Sequence, residues 1–211
     1  MEIFLIVIVW LLNFGISWLN AWSVGRSWAD SKATGSWPRV VTWSAAVMSA
    51  CGFTWCYLIL LVIGADTLGV FAPDPKTAEL SPTAQNPHEF VKLALEMGYV
   101  VIIFPILGSG LAIWIDSVTT AWRRRDAVSI GVAGWNTFAQ AHNTFEAART
   151  LPAVFKDLGS ALKGGDVKGK AFLLALILVA VALCAGILTT VAIVRSTARK
   201  YAHNVLSSVN T

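Results

Sequence analysis

Charge is scarce in this chain: Asp, Glu, Lys and Arg make up 13% of its 211 residues, about half the usual share, whereas 56% are hydrophobic. That balance excludes an ordinary water-soluble domain. Cysteine is equally sparse, and Cys51, Cys56 and Cys184 all fall inside apolar runs with no CxxC spacing or His/Cys cluster beside them. Neither a disulfide framework nor a zinc site is expected. The sequence also lacks GxSxG, HExxH, a P-loop and a dinucleotide fingerprint. His142 and Glu146, one helical turn apart, are the nearest approach to a catalytic or metal pair, and one imidazole with one carboxylate is an incomplete site. No catalytic residue, cofactor or metal is therefore assigned, and the chain is read as no enzyme. Only Glu2 precedes the first apolar run, without the basic start of a cleaved signal, so that run is read as a retained transmembrane helix.

What is abundant is uninterrupted apolar length. Uncharged runs cover Ile3 to Gly25, Val40 to Ala65, Met97 to Ile115 and Ala171 to Val194, each close to the roughly 20 residues that cross a bilayer. The expected fold is all-α and polytopic, with four transmembrane helices and a small helical cytoplasmic lobe between the third and the fourth. In residue ranges, 1–64 is a first transmembrane hairpin with a Trp-rich interfacial loop, 65–90 an outer loop, 91–116 the third span, 117–170 the lobe, and 171–211 the fourth span and a basic tail. The Gly35-Ser36-Trp37-Pro38 turn ends the first loop, in which a short interfacial helix over 24–34 is expected. Pro105 and Gly108-Ser109-Gly110 imply a kink or a close backbone contact within the third span.

Cytoplasmic segments of membrane proteins hold an excess of Lys and Arg. With the N-terminus outside, the first and third loops place eleven cations inside: Arg26, Lys32, Arg39, Arg123, Arg124, Arg125, Arg149, Lys156, Lys163, Lys168 and Lys170. Five remain outside, Lys76, Lys92, Arg195, Arg199 and Lys200. The count predicts both termini outside an integral protein of a bacterial inner membrane or another plasma membrane, with the basic tail as the dissenting feature. Ten Trp are present, and Trp18, Trp22, Trp28, Trp37, Trp43, Trp114, Trp122 and Trp135 lie near one expected membrane face, where amphipathic rings suit the headgroup level.

Candidate binding residues come from periodicity. A helix over roughly 117–150, bent at Gly131 or Gly134, carries an apolar stripe through Trp122, Ile130, Trp135, Phe138, Ala141, Phe145 and Ala148, with Gln140 and Glu146 available to water. Pro152 then begins a shorter helix, and Gly164 to Lys170 is a polar hinge. Trp122, Trp135, Phe138 and Phe145, with Arg123, Arg124 and Arg125, form the expected lipid or partner surface. The arginines suit anionic headgroups, and three adjacent cations are too weak a footprint for nucleic acid. Ala46, Ala50 and Thr54 in the second span, and Ala182 and Gly186 in the fourth, make small-residue faces for close helix packing, within the chain or between copies. Asn13, Ser17 and Asn20 share a face of the first span, either for interhelical hydrogen bonds or as the lining of a pore.

The sequence thus predicts a non-enzymatic membrane anchor, scaffold or sensor subunit. It would self-associate, touch anionic lipid and present a helical surface to a soluble or membrane protein. An oligomeric pore or ion channel is the alternative.

Overall fold

A computed structural model describes residues 2–68, 87–163 and 166–209, and its regular structure there is entirely helical. Five helices follow in order: α1 (Glu2–Ala33), α2 (Val40–Thr67), α3 (Pro87–Arg124), α4 (Ala127–Leu162) and α5 (Asp166–Val209). Four stretches, Val7–Ala33, Val40–Ala65, Phe90–Arg124 and Phe172–Ala202, are long and apolar enough to cross a membrane. These correspond to the four expected spans. Most of the expected outer loop, and Gly164 and Gly165 of the expected hinge, lie outside the described residues.

Local chemistry sets the helix ends. At the end of α1 the Ser36 amide bonds Ser31 O and the Gly35 amide bonds Lys32 O, with Gly35 at φ 65°. This is a Schellman cap, whose left-handed position favours glycine. The segment expected as a separate interfacial helix over 24–34 is simply the last part of α1. Pro87 opens α3, where its missing amide hydrogen has no cost. A two-residue turn joins α3 to α4: Arg125 adopts φ 55° and bonds Ala121 O, and the Asp126 carboxylate caps α4 by accepting from the Ser129 amide.

That turn changes the expected architecture. The helix anticipated over 117–150 is broken at Arg125 and Asp126, and α4 then runs unbroken through Pro152 to Leu162. It does not stand apart as a lobe but folds back along α3. Trp114 meets Thr137, Leu107 meets Gln140, and Lys92 meets Asp157, successive pairs that mark an antiparallel hairpin along most of α3. Lys156 and Lys163 are thereby carried to the end of the bundle opposite Arg123, Arg124 and Arg125, although the charge count had grouped them together.

The remaining helices pack around α2, which touches α1, α3 and α5. Leu58 and Val62 of α2 join Phe90, Leu93, Ala94 and Met97 of α3 and Ala175, Val179 and Ala182 of α5 in the larger core. Ala21, Phe53 and Ile193 form a smaller core between α1, α2 and α5. α5 is antiparallel to α2 and parallel to α1, since Gly25 lies against Val194 and Thr197, and the Arg26 guanidinium lies over the Tyr201 ring. The start of α1 and the end of α5 consequently sit at opposite ends of the bundle. This differs from the expectation of both termini on one side, because that count gave α4 no passage along the bundle.

Candidate functional site

At the seams of α1 with α2 and of α2 with α5, helix packing pairs the interior polar groups. Asn13 donates from Nδ2 to Gly52 O at 3.2 Å and reaches Cys56 Sγ at 3.4 Å, while Ser17 donates to Asn13 O at 2.7 Å. Ser49 donates to Ser17 O at 2.8 Å and lies 3.1 Å from Thr190 Oγ1, and Tyr57 Oη lies 2.9 Å from Thr189 Oγ1. Trp10 adds a bond from Nε1 to Cys56 O at 3.0 Å. Asn13 and Ser17 thus face α2, and Asn20 is half-buried nearby on α1. Thr190 was not singled out in the sequence, because a hydroxyl in an apolar run gives no sign of its partner.

The small-residue faces meet each other inside the chain. A Cβ on Gly186 would lie 2.7 Å from Ala50 O and 2.4 Å from Thr54 Oγ1. Ala182 is buried in the larger core, and Ala46 lines a groove toward the end of α1. Gly110 plays a similar part between α3 and α4, since a Cβ there would run into Gln140 Oε1. Gln140 was expected to face water, yet it points inward and donates from Nε2 to Leu107 O at 3.2 Å. Its Oε1 is buried and has no partner among the described residues.

The outer face of α4 has the opposite character. Ser129, Ala133, Ala147 and Val154 are buried on its inner side, so the residues half a helical turn away point outward. Trp135 (68% exposed), Phe138 (65%) and Phe145 (66%) lie on that side, and Val128 is also exposed. His142 and Arg149 share their stripe, at the intervals of three and four that align side chains along one helix face. Trp135, Phe138 and His142 form a ladder of rings with centroids 6.2 and 6.1 Å apart, the last pair within 9° of parallel. His142, half-buried Glu146 and Arg149 have no hydrogen bond or ion pair among the described residues. Arg149 was missed as a site residue because the sequence stripe was centred on Ala141 and Ala148, about a quarter turn away.

This stripe lies deep along the bundle. Gln140 sits beside Leu107, near the middle of the 38-residue α3, which places His142 and Glu146 well away from either helix end. Trp122 (76% exposed), with the Arg125 guanidinium 5.7 Å from its ring centroid, stands instead at the α3–α4 turn beside Arg123 and Arg124. No group of three or more His, Cys, Asp or Glu side chains able to hold a metal occurs among the described residues. No protein-family model matches the chain, and neither a curated protein nor a solved structure shows significant similarity to it.

Proposed function

We propose that this chain is a non-enzymatic subunit of a membrane assembly and that it self-associates through the outer face of α4. One observation carries the reading: large aromatic rings and unpaired ionisable groups share one exposed stripe at mid-bundle depth. Trp135, Phe138 and Phe145 are unsuited to water, and Arg149 and Glu146 are unsuited to hydrocarbon, where insertion of a charged group costs about 2.5–3.5 kcal/mol. Such a mixture suits a protein surface, in which polar groups find partners and rings are covered.

A second copy meets the charge requirement directly. Two copies in one membrane share orientation, so a two-fold axis along the bilayer normal sets their α4 helices side by side. Glu146 of each then lies within a turn of Arg149 of the other, and the contact is made twice. The bundle would serve as an anchor or scaffold, with α1, α2, α3 and α5 holding it in the bilayer.

The packing also supports a revised orientation. Arg26, Lys32, Arg39, Arg123, Arg124, Arg125, Arg195, Arg199 and Lys200 gather at the end that holds the α1–α2 and α3–α4 turns, against Lys92, Lys156, Lys163, Lys168 and Lys170 among the described residues toward the other. Making the first end cytoplasmic brings the basic tail inside with the other cations, and the start of α1 is then outside. The pore alternative asks Asn13 and Ser17 to face a water path, whereas both make their bonds at the α1–α2 seam.

Cross-linking in native membranes tests the interface. In a Cys184→Ala background, His142→Cys is expected to form a disulfide-linked dimer on mild oxidation, and Phe138→Ala with Phe145→Ala is expected to abolish it. A chain that stays monomeric in nanodiscs and gives no cross-link at position 142 rules the reading out.

A further inference from the structure

The basic end of the bundle contains a groove that self-association through α4 does not involve. It opens between the last turns of α1, the first turns of α2 and the far part of α5, with a volume near 960 Å³. That is at the upper end of the roughly 300–1,000 Å³ of small-molecule sites. The space exists because the three helices present Ala29, Ala33, Ala46, Ala198 and Ala202 where larger side chains would fill it. Val191 and Val194 extend the apolar wall, and Trp28 and Trp43, in edge-to-face contact at 5.2 Å, close one side.

Charged residues line the groove as well. Lys32, Arg195 and Arg199 line it against a single acid, Asp30, and neither arginine has an ion pair among the described residues. Arg26, just below on α1, is already engaged between the Trp22 and Tyr201 rings, 4.8 Å from each centroid, which leaves Lys32, Arg195 and Arg199 as the available cations. The groove therefore joins an apolar wall to a row of cations, Arg195 and Arg199 on one face of α5 with Lys32 across from them, with tryptophan beside both, a combination that suits a lipid's chain and headgroup.

We infer that this groove holds one anionic phospholipid, with an acyl chain along Ala46, Val191 and Val194 and its phosphate at Lys32, Arg195 and Arg199. A charge-neutral lipid leaves the cations unpaired, and a free phosphate ester leaves the apolar wall exposed to water. The site is separate from Arg123, Arg124 and Arg125, which stand on the α3–α4 turn without a groove of this size beside them.

Native mass spectrometry of the full chain, released from nanodiscs of equal phosphatidylglycerol and phosphatidylcholine, tests the assignment. Wild type is expected to retain one phosphatidylglycerol. Arg195→Gln with Arg199→Gln should weaken retention roughly thirtyfold, as expected for two headgroup-facing cations. Lys156→Gln with Lys163→Gln, at the opposite end of the bundle, should leave it unchanged. Ala198→Phe, which fills the wall and spares the cations, should also displace the lipid, with helix content by circular dichroism confirming that each variant folds. Equal retention of phosphatidylcholine, or full retention by the Arg195/Arg199 variant, overturns the proposal. Displacement by inorganic phosphate or glycerol phosphate at concentrations comparable to the lipid's also overturns it, because the ligand would then be a free phosphate group.

Discussion

The α1–α2–α5 seam and the outer face of α4 contain similar residue types with opposite fates. Both mix aromatic rings with polar groups. At the seam, Asn13, Ser49, Tyr57 and Thr190 are paired across helices, Ser17 donates back to Asn13 O, and Phe53 is fully buried. On α4, His142 and Arg149 have no hydrogen bond or ion pair among the described residues, and Phe138 and Phe145 are about two-thirds exposed. Hydrocarbon offers no hydrogen bonds, so a polar group at depth has to find its partner in protein. The seam shows that requirement met within one chain, whereas His142 and Arg149 on the α4 face have no such bond among the described residues.

The sharpest test exchanges one ring for alanine on each side of this contrast. Phe53→Ala opens a cavity where α1, α2 and α5 meet and is expected to lower stability by about 3–5 kcal/mol. Phe138→Ala removes a ring with no interior packing and should cost the isolated subunit under about 0.5 kcal/mol while weakening assembly. Urea or SDS titration followed by tryptophan fluorescence separates the two. Equal losses would mean that the α4 face is part of the subunit's own core.

Glycine gives the next contrast. At Gly186 an added methyl meets the Ala50 carbonyl, part of a backbone that cannot step aside, so Gly186→Ala should destabilise by about 1–3 kcal/mol. Gly131 on α4 has open space around it, and Gly131→Ala should stabilise by about 0.5–1 kcal/mol through the restricted unfolded chain. Thermal melts of the two variants should therefore move in opposite directions. Smaller still is Asn13→Leu, which removes the bonds to Gly52 and Cys56 and is expected to cost about 0.6 kcal/mol, up to about 1.7, with its effect on the melt not added to that of Ser49→Ala.

These contrasts explain what could be read in advance. The four spans were legible because uncharged length is a one-dimensional property, and spacing by four marked the faces that hold Ala50, Thr54 and Gly186, although not that they meet each other. The course of α4 was not. Its stretch from Ala127 to Phe145 is uncharged, but Asn136, Gln140, His142 and Asn143 make it too polar to stand out as a span. Its depth depends on contacts such as Trp114 with Thr137 and Gln140 with Leu107, which no spacing rule discloses. From that one omission followed the lobe, the grouping of Lys156 and Lys163 with Arg123, and the placement of both termini on one side.

The turn that sends α4 back along α3 supplies the smallest predicted effect. The Ser129 amide and hydroxyl both bond the Asp126 carboxylate, at 2.9 and 3.0 Å, and these bonds hold its pKa below the ordinary carboxylate value. A group whose folded pKa is depressed stabilises the fold above its unfolded pKa, and that contribution is lost as pH falls through the lowered folded value. Wild-type melting should therefore decline slightly in the acid range below the usual Asp titration. Asp126→Asn keeps a cap acceptor without the charge, so its melt should lack that part of the decline and lie slightly below wild type at neutral pH. If the two pH profiles run parallel throughout, the charge on Asp126 contributes nothing to the turn, and the hydrogen bonds to Ser129 hold the α3–α4 hairpin equally well without it.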